Sequence, residues 1–169
     1  MGKILSAEID GLFILKFTGD VRITLGPTIS TFLDNVSRCK SFRSVVIDLT
    51  ETRNIDSTAL GMLAKISLRT QEAFDSKPVI ISTNDDITRI LLSVGFEDVF
   101  VIIREAEVSE TELQELPEHI MCEARLREQV LEAHRILMAL NENNCLEFRD
   151  LVEALEEERT YQVACSLAS

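Results

Sequence analysis

The sequence predicts an α/β fold in which helices cover one face of a mixed β-sheet, followed by a C-terminal α-helical hairpin. Short apolar runs typical of strands alternate with helical apolar periodicity from residue 12 onward. The apolar run at residues 44–49 ends in a polar loop, and a helical pattern starts immediately after Asp56 and Ser57. Beyond Gly95 there is no glycine, and after Arg104 apolar residues recur at helical intervals.

The first third of the chain predicts a hairpin followed by a helix and a strand. Near alternation over residues 4–10, a turn at Gly11 and an apolar run over 12–18 are typical of paired strands, and residues 19–22 then form a loop. A helix begins near Pro27, because proline fits a first helical turn, and it ends before residues 39–41. The strand at 44–49 follows.

The junction after this strand holds a serine in place. Asp56 and Ser57 are both good N-cap residues, since their side-chain oxygens accept hydrogen bonds from the first unpaired N–H groups of a helix. We expect that helix to run from about 57 to 74, with Gly61 allowing another backbone to approach closely. Asp48 is expected to be a hydrogen-bonded carboxylate that supports the loop.

Two more strands and one helix complete the predicted sheet. Residues 79–82 are a short apolar run bounded by turn signals, as expected of a covered strand. Asn84 and the two aspartates after it can cap a short helix that stops at Gly95. Residues 99–103 predict the last strand.

We divide the chain into a domain at residues 1–104 and an acidic helical extension at 105–169, with helices at about 105–116, 118–140 and 145–158. The last two helices are joined by a short polar turn and should fold back on each other. A pair this small is unlikely to bury its apolar stripe alone. Three covers are open: the α/β domain, a second copy of the chain in a homodimer, or a partner.

Charge and composition exclude several classes of function. Residues 1–104 carry 13 acidic and 12 basic residues, which gives a net charge of −1. Residues 105–169 carry 16 acidic and 5 basic residues, which gives −11, so the whole chain has a net charge of −12. This balance argues against binding nucleic acid, which needs a basic footprint. The absence of a membrane-spanning run and of a signal core predicts a cytoplasmic protein, in which four scattered cysteines stay reduced.

Nothing in the sequence predicts an enzyme, a cofactor or a metal site. Ser57 lies outside a G-x-S-x-G elbow, and the two histidines, His119 and His134, are in the extension, where we expect them to face solvent or a helix groove. The glycine-rich loops that bind nucleotide phosphates are missing. A binding protein is therefore predicted.

The order of elements resembles that of the STAS domain, named for sulfate transporters and anti-sigma factor antagonists. The resemblance covers about residues 3–104, and the segments that carry it are residues 46–49, 55–61 and 90–100. The pattern Asp-Ser-x-x-Leu-Gly directly after a strand is its most specific part. Within the family the chain looks closest to stand-alone bacterial anti-sigma factor antagonists, although its extension is longer than the single closing helix of a minimal domain.

The resemblance implies a switch at Ser57. In the scheme it implies, the unphosphorylated protein captures an anti-sigma factor and frees a sigma factor. That anti-sigma factor, or a related serine kinase, phosphorylates Ser57, and a PP2C-type phosphatase reverses the modification. Asp56 would help to position the serine, Thr58 is an alternate acceptor, and the loop near Asp20 together with the start of the helix that contains Gly61 would form the partner surface. The alternative is a scaffold or transporter-accessory module that binds partners without phosphorylation.

Overall fold

Up to residue 103 the helices and strands follow one another in the order that the apolar pattern predicts. The computed structural model describes residues 1–105 and 112–168. Its strands are β1 (Lys3–Ile9), β2 (Leu12–Val21), β3 (Ser44–Ile55), β4 (Val79–Ile81), β5 (Val101–Ile103) and β6 (Gln114–Glu115). Its α-helices are α1 (Gly26–Ser37), α2 (Ser57–Phe74), α3 (Asp85–Ser93), α4 (Glu123–Leu140) and α5 (Glu142–Leu167).

The six strands form one mixed sheet in the order β5-β4-β3-β2-β1-β6. β2, β3, β4 and β5 pair in parallel, whereas β1 is antiparallel to both of its neighbours, β2 and β6. Parallel neighbours need a connection that crosses over the sheet, and the helices α1, α2 and α3 provide these crossovers. The predicted fold class is confirmed.

The core lies between one face of the sheet and the helices. Alternate residues of the central strands are buried, as expected when only one side of a strand faces a core. On β2 and β3 these residues pack with the buried side of α2; the shared cluster includes Leu15, Phe17, Val45, Ile47, Leu49, Met62, Leu63 and Ile66. This packing fixes the start of α2 at the end of β3.

Two strands are longer than the sequence predicts. β2 continues to Val21 and β3 continues to Ile55, so that Asp20 lies in a strand and the polar stretch after Asp48 is not a loop. The reason is that the two strands keep pairing in parallel beyond the apolar part, with register shifts between Lys16 and Thr18 and at Gly19/Asp20. Backbone pairing with a neighbouring strand outweighs the poor strand propensity of these polar residues.

The helix predicted at residues 105–116 is wrong at its end. Gln114 and Glu115 form β6, an edge strand that pairs with β1 opposite Ser6 and Leu5. The outer edge of β1 offers unpaired backbone groups, which a short strand satisfies. The part of this prediction that falls on residues 106–111 lies outside the described residues.

The C-terminal helical pair is confirmed, with different ends. α4 starts at Glu123 rather than near 118, and α5 runs from Glu142 to Leu167. α5 starts there because Asn141 caps it by accepting a hydrogen bond from the backbone N–H of Asn144. The pair docks on the rest of the chain: α4 packs against α2, and Asn144 donates to the backbone carbonyl of Val94 after α3 over 2.9 Å. The α/β part of the chain, one of the three alternatives considered, therefore covers the apolar stripe of the helical pair. Whether residues 1–104 fold alone stays a prediction.

Candidate functional site at the start of helix α2

Asp56 caps the helix that begins with Ser57. Its backbone is extended (φ −91°, ψ 167°), and its carboxylate accepts a hydrogen bond from the backbone N–H of Ala59 over 2.7 Å. This confirms the N-cap that the sequence predicts at this position. Ser57 is thus the first residue of α2. It lies at the end of the sheet where β2 and β3, the longest parallel pair of strands, both end.

The second carboxylate oxygen of Asp56 ties the helix to the preceding crossover. It accepts a hydrogen bond from the backbone N–H of Ile23 over 2.9 Å, and the backbone N–H of Asp56 donates to the carbonyl of Val21 over 3.0 Å. The end of β2 and the start of α2 are therefore joined through one side chain. Both oxygens of Asp56 serve backbone groups, which leaves the Ser57 hydroxyl to find another partner.

That partner is His134 on α4. The Ser57 Oγ lies 2.8 Å from His134 Nε2, and His134 Nδ1 lies 2.7 Å from the backbone carbonyl oxygen of Val130. A carbonyl only accepts, so Nδ1 carries the proton, and in the neutral ring Nε2 accepts the hydrogen bond from the Ser57 hydroxyl. The imidazole is only 2% exposed, and its ring meets that of Phe148 on α5 edge to face, at 5.4 Å between centroids.

The sequence prediction for the histidines is wrong for one of them. His119 is exposed, as expected, but His134 is buried and lies beside Ser57, although the two residues are far apart in sequence. A signal was present in the sequence: Val130, His134 and Leu137 follow helical spacing on the apolar side of α4. Spacing alone could not show that this side of α4 faces Ser57.

Gly61 brings the backbones of α2 and α4 into contact. A Cβ atom built on Gly61 would lie 2.3 Å from the carbonyl oxygen of Ala133, so no larger residue fits without a shift of α4. One turn further along α2, the Lys65 ammonium lies 2.7 Å from the Glu132 carboxylate. The close backbone approach predicted for Gly61 is confirmed, and the approaching backbone belongs to the extension.

The other predicted site residues lie around this junction. Thr58 is only 6% exposed, which makes its hydroxyl a poorer target for modification than that of Ser57. At the same end of the sheet Asp20 accepts a hydrogen bond from the Asn54 side chain over 2.8 Å. This bond, helped by the charges of Arg53 and Arg22, lowers the pKa of the Asp20 carboxyl and keeps it ionised. This end of the sheet therefore carries an ionised carboxylate with two arginines near it.

Asp48 is a hydrogen-bonded carboxylate, as predicted, but the residues that it supports belong to β3 and not to a loop. The carboxylate is buried and accepts a hydrogen bond from the backbone N–H of Thr50 over 2.8 Å.

Among the described residues no group of His, Cys, Asp and Glu side chains is arranged to hold a metal ion. Within the same residues no helix is both long enough and apolar enough to span a bilayer.

The STAS domain family model matches residues 3–112, which is well over half of the chain. The chain belongs to the STAS family. The match covers the strands β1 to β5, the helices α1 to α3 and the Asp56-Ser57 junction, whereas β6, α4 and α5 lie beyond it. In this STAS protein His134, which contacts Ser57, therefore lies outside the residues that the family model matches.

Solved structures share the fold of this STAS protein at low sequence identity. The unphosphorylated anti-sigma factor antagonist SpoIIAA is 7% identical, with a TM-score of 0.50, over 60% of this chain and 87% of that one. An anti-sigma factor antagonist from Mycobacterium paratuberculosis is 19% identical, with a TM-score of 0.50, over 60% and 85%. A putative antagonist from Thermotoga maritima is 18% identical, with a TM-score of 0.50, over 57% and 82%. Among curated proteins, no sequence is significantly similar to this chain.

Proposed function

We propose that this chain is an anti-sigma factor antagonist that works by partner switching. In its unphosphorylated form it binds an anti-sigma factor that is also a serine kinase, and so frees a sigma factor. Phosphorylation of Ser57 releases that partner. The observation that carries the proposal is the position of Ser57 as the first residue of α2, directly after the Asp56 cap, in a chain of the STAS family. The similar fold of anti-sigma factor antagonists supports it.

The proposed modification suits this position physically. A phosphate adds about −1.5 to −2 charges at neutral pH. At a helix N-terminus that charge gains about 0.3–1 kcal/mol from the helix dipole, so the fold of α2 tolerates it. In a contact surface, beside the carboxylates of Asp56 and Asp20, the same charge opposes an approaching partner. A penalty of about 3 kcal/mol weakens binding roughly a hundredfold.

The cycle requires a second enzyme and a compartment. A PP2C-type phosphatase would remove the phosphate and restore binding, and both reactions would take place in the cytoplasm. The chain itself acts as a binding protein in this scheme. Its Ser57–His134 pair is a poor start for a hydrolase, because His134 Nδ1 bonds to the Val130 carbonyl and not to a carboxylate.

The direct test is the mass of the protein purified from its native cells, before and after treatment with a serine phosphatase, with peptide mapping of the modified residue. A single phosphate on Ser57 is expected. Ser57→Ala and Ser57→Asp proteins would then be used as baits, and only the alanine variant should recover the anti-sigma factor.

The matched control is Ser93→Asp, which adds the same charge at an exposed serine that ends α3 and lies outside the proposed surface. It should bind like the wild-type chain. If no phosphate is found under any growth condition and both Ser57 variants recover the same proteins, the chain is instead the constitutive STAS scaffold or transporter-accessory module.

We also propose that α5 supports a homodimer. Its C-terminal part exposes apolar side chains, of which Val163 (54% exposed) and Leu167 (84%) lie four residues apart on one face of the helix. Exposed apolar residues that share a face are typical of an interaction site. Light scattering behind a sizing column should give twice the mass of one chain, and a Val163→Glu, Leu167→Glu variant should give the mass of one chain. A monomeric wild-type protein at high concentration would rule the dimer out.

A further inference from the structure

We propose that phosphorylation of Ser57 and docking of α4 on α2 exclude each other, so that α4 is an internal competitor for the switch surface. This inference rests on the proposed function, because it takes Ser57 as the phosphorylated residue. The structure shows the docked form, in which α4 covers the side of α2 that begins at Ser57.

The Ser57–His134 hydrogen bond cannot survive the modification. In the neutral ring with its proton on Nδ1 the serine hydroxyl is the donor, and a phosphoester has no proton on that oxygen. The bridging oxygen and the Nε2 lone pair would then face each other as two acceptors. The bond is thus specific for the unmodified serine.

There is also no room for a phosphate at this contact. His134 Nε2 already lies 2.8 Å from the Ser57 Oγ, and the ring cannot withdraw, because it is buried, bonded to Val130 and packed against Phe148. A small movement of the whole helix is blocked as well, since the backbone of α4 at Ala133 touches Gly61. Packed interfaces of this kind separate rather than deform gradually.

Charge acts in the same direction. The segment from residue 105 to 169, which includes α4 and α5, has a net charge of −11, and Asp56 directly precedes the serine. A dianion on Ser57, which is half-buried, would lie next to the Asp56 carboxylate and against the acidic helical pair. Docking of the acidic pair is therefore disfavoured once Ser57 is phosphorylated.

The coupling works in both directions. If phosphate weakens docking by some factor, docking weakens phosphorylation of Ser57 by the same factor. A kinase would act on the undocked form, and any partner of this surface of α2 would compete with α4. The fraction of undocked chain then sets the apparent affinity for that partner.

The test uses the full chain with one reporter thiol under α4. The reporter is Ala133→Cys, at a fully buried position against α2, in a chain whose four native cysteines are replaced by serine. Phosphoserine is placed at residue 57 during translation, so that no kinase is needed. The rate of reaction with Ellman's reagent reports undocking. Phosphoserine at residue 57 should raise this rate at least about fivefold over the serine form.

Two controls isolate the effect. Phosphoserine at residue 76, in the exposed bend after the other end of α2, adds the same group outside the contact and should leave the rate unchanged. A chain that keeps Cys122, which is exposed, as its only cysteine reports the reactivity of an accessible thiol and should be insensitive to residue 57. Because Ala133→Cys could itself disturb packing, amide hydrogen exchange of α4 is measured in chains with the native Ala133, with serine or phosphoserine at residue 57, and should be faster with phosphoserine.

The outcomes separate this inference from the proposed function. Unchanged or slower thiol reaction and exchange with phosphoserine at residue 57 would overturn the inference; slower reaction would mean that His134 takes up a proton and binds the phosphate. The switch itself would stand in either case if the Ser57→Asp bait still lost the anti-sigma factor. Conversely, faster thiol reaction with no difference between the baits would support α4 release and refute the proposed function.

Discussion

At the scale of single residues, Asp56 and His134 each make two hydrogen bonds that organise the Ser57 junction. Asp56 serves backbone donors from two separate segments, and His134 joins the serine hydroxyl to its own helix. Each pair of bonds requires one ionisation or tautomeric state. Those states can be tested directly.

Asp56→Ala should lower the free energy of unfolding by about 1–3 kcal/mol, because the N–H groups of Ala59 and Ile23 both lose their acceptor. Asp56→Asn keeps one acceptor and should cost less. Urea unfolding followed by circular dichroism measures both. The comparison is Asn84→Ala, which removes a cap that serves only the first turn of α3. An Asp56→Ala loss smaller than that of Asn84→Ala would contradict the double role.

His134 should carry a proton on Nδ1, since the Val130 carbonyl can only accept, and the bond direction assigned to Ser57 requires that Nε2 carries none. Long-range ¹H–¹⁵N NMR spectra of the ring distinguish the two tautomers. The chain has only two histidines, so the His119→Ala variant assigns the signals. Ser57→Ala should shift the Nε2 resonance of His134 and leave that of His119 in place. A proton found on Nε2 would refute the assigned bond direction.

At the scale of elements, the contact between α2 and α4 depends on two small residues. The carbonyl of Ala133 occupies the space that a side chain at residue 61 would need. Helices approach this closely only where a side chain is missing from the contact. The extension is therefore fitted to this particular stretch of α2.

Gly61→Ala should destabilise the protein by about 1–3 kcal/mol through overpacking, although alanine has a helix propensity about 1 kcal/mol better than that of glycine. Gly26→Ala is the matched control, because there the new Cβ would meet the end of the Gln129 side chain, which can move, rather than backbone. Thermal unfolding of both variants measures the two losses of stability. Equal losses would show that the backbone contact has no special weight.

The sequence could predict the elements but not their contacts across the chain. Asp56 as an N-cap, Gly61 as a point of close approach and the two C-terminal helices follow from local chemistry and spacing. The lengths of β2 and β3 depend on pairing with a neighbour, which local propensity does not contain. The His134 bond to Ser57 depends on how α4 is placed, and an apolar stripe does not specify which surface covers it.

At the scale of the whole molecule, the extension is a structural part of the fold. Ala133 and Leu137 belong to the same buried cluster as the sheet residues, and Asn144 bonds to the chain after α3. The apolar side of α2 that they cover would be exposed without them.

Removal of residues 118–169 should therefore leave a protein that aggregates or unfolds at lower urea concentration than the full chain. Removal of residues 161–169 alone serves as the control. The described part of that segment is exposed, and at protein concentrations low enough to keep the chain monomeric its loss should change the free energy of unfolding by no more than about 0.5 kcal/mol. Sizing chromatography and urea unfolding measure both. A soluble, monomeric and equally stable 1–117 fragment would make the extension an independent arm.

The Ser57–His134 bond also has a consequence for protein synthesis. The two residues are 77 positions apart in sequence, so His134 leaves the ribosome after Ser57. At about 5–20 residues per second, Ser57 emerges roughly 4–15 s before the residue that covers it. Each newly made chain thus passes through a period in which the serine is accessible to any enzyme at the ribosome, whatever the docking equilibrium of the finished protein.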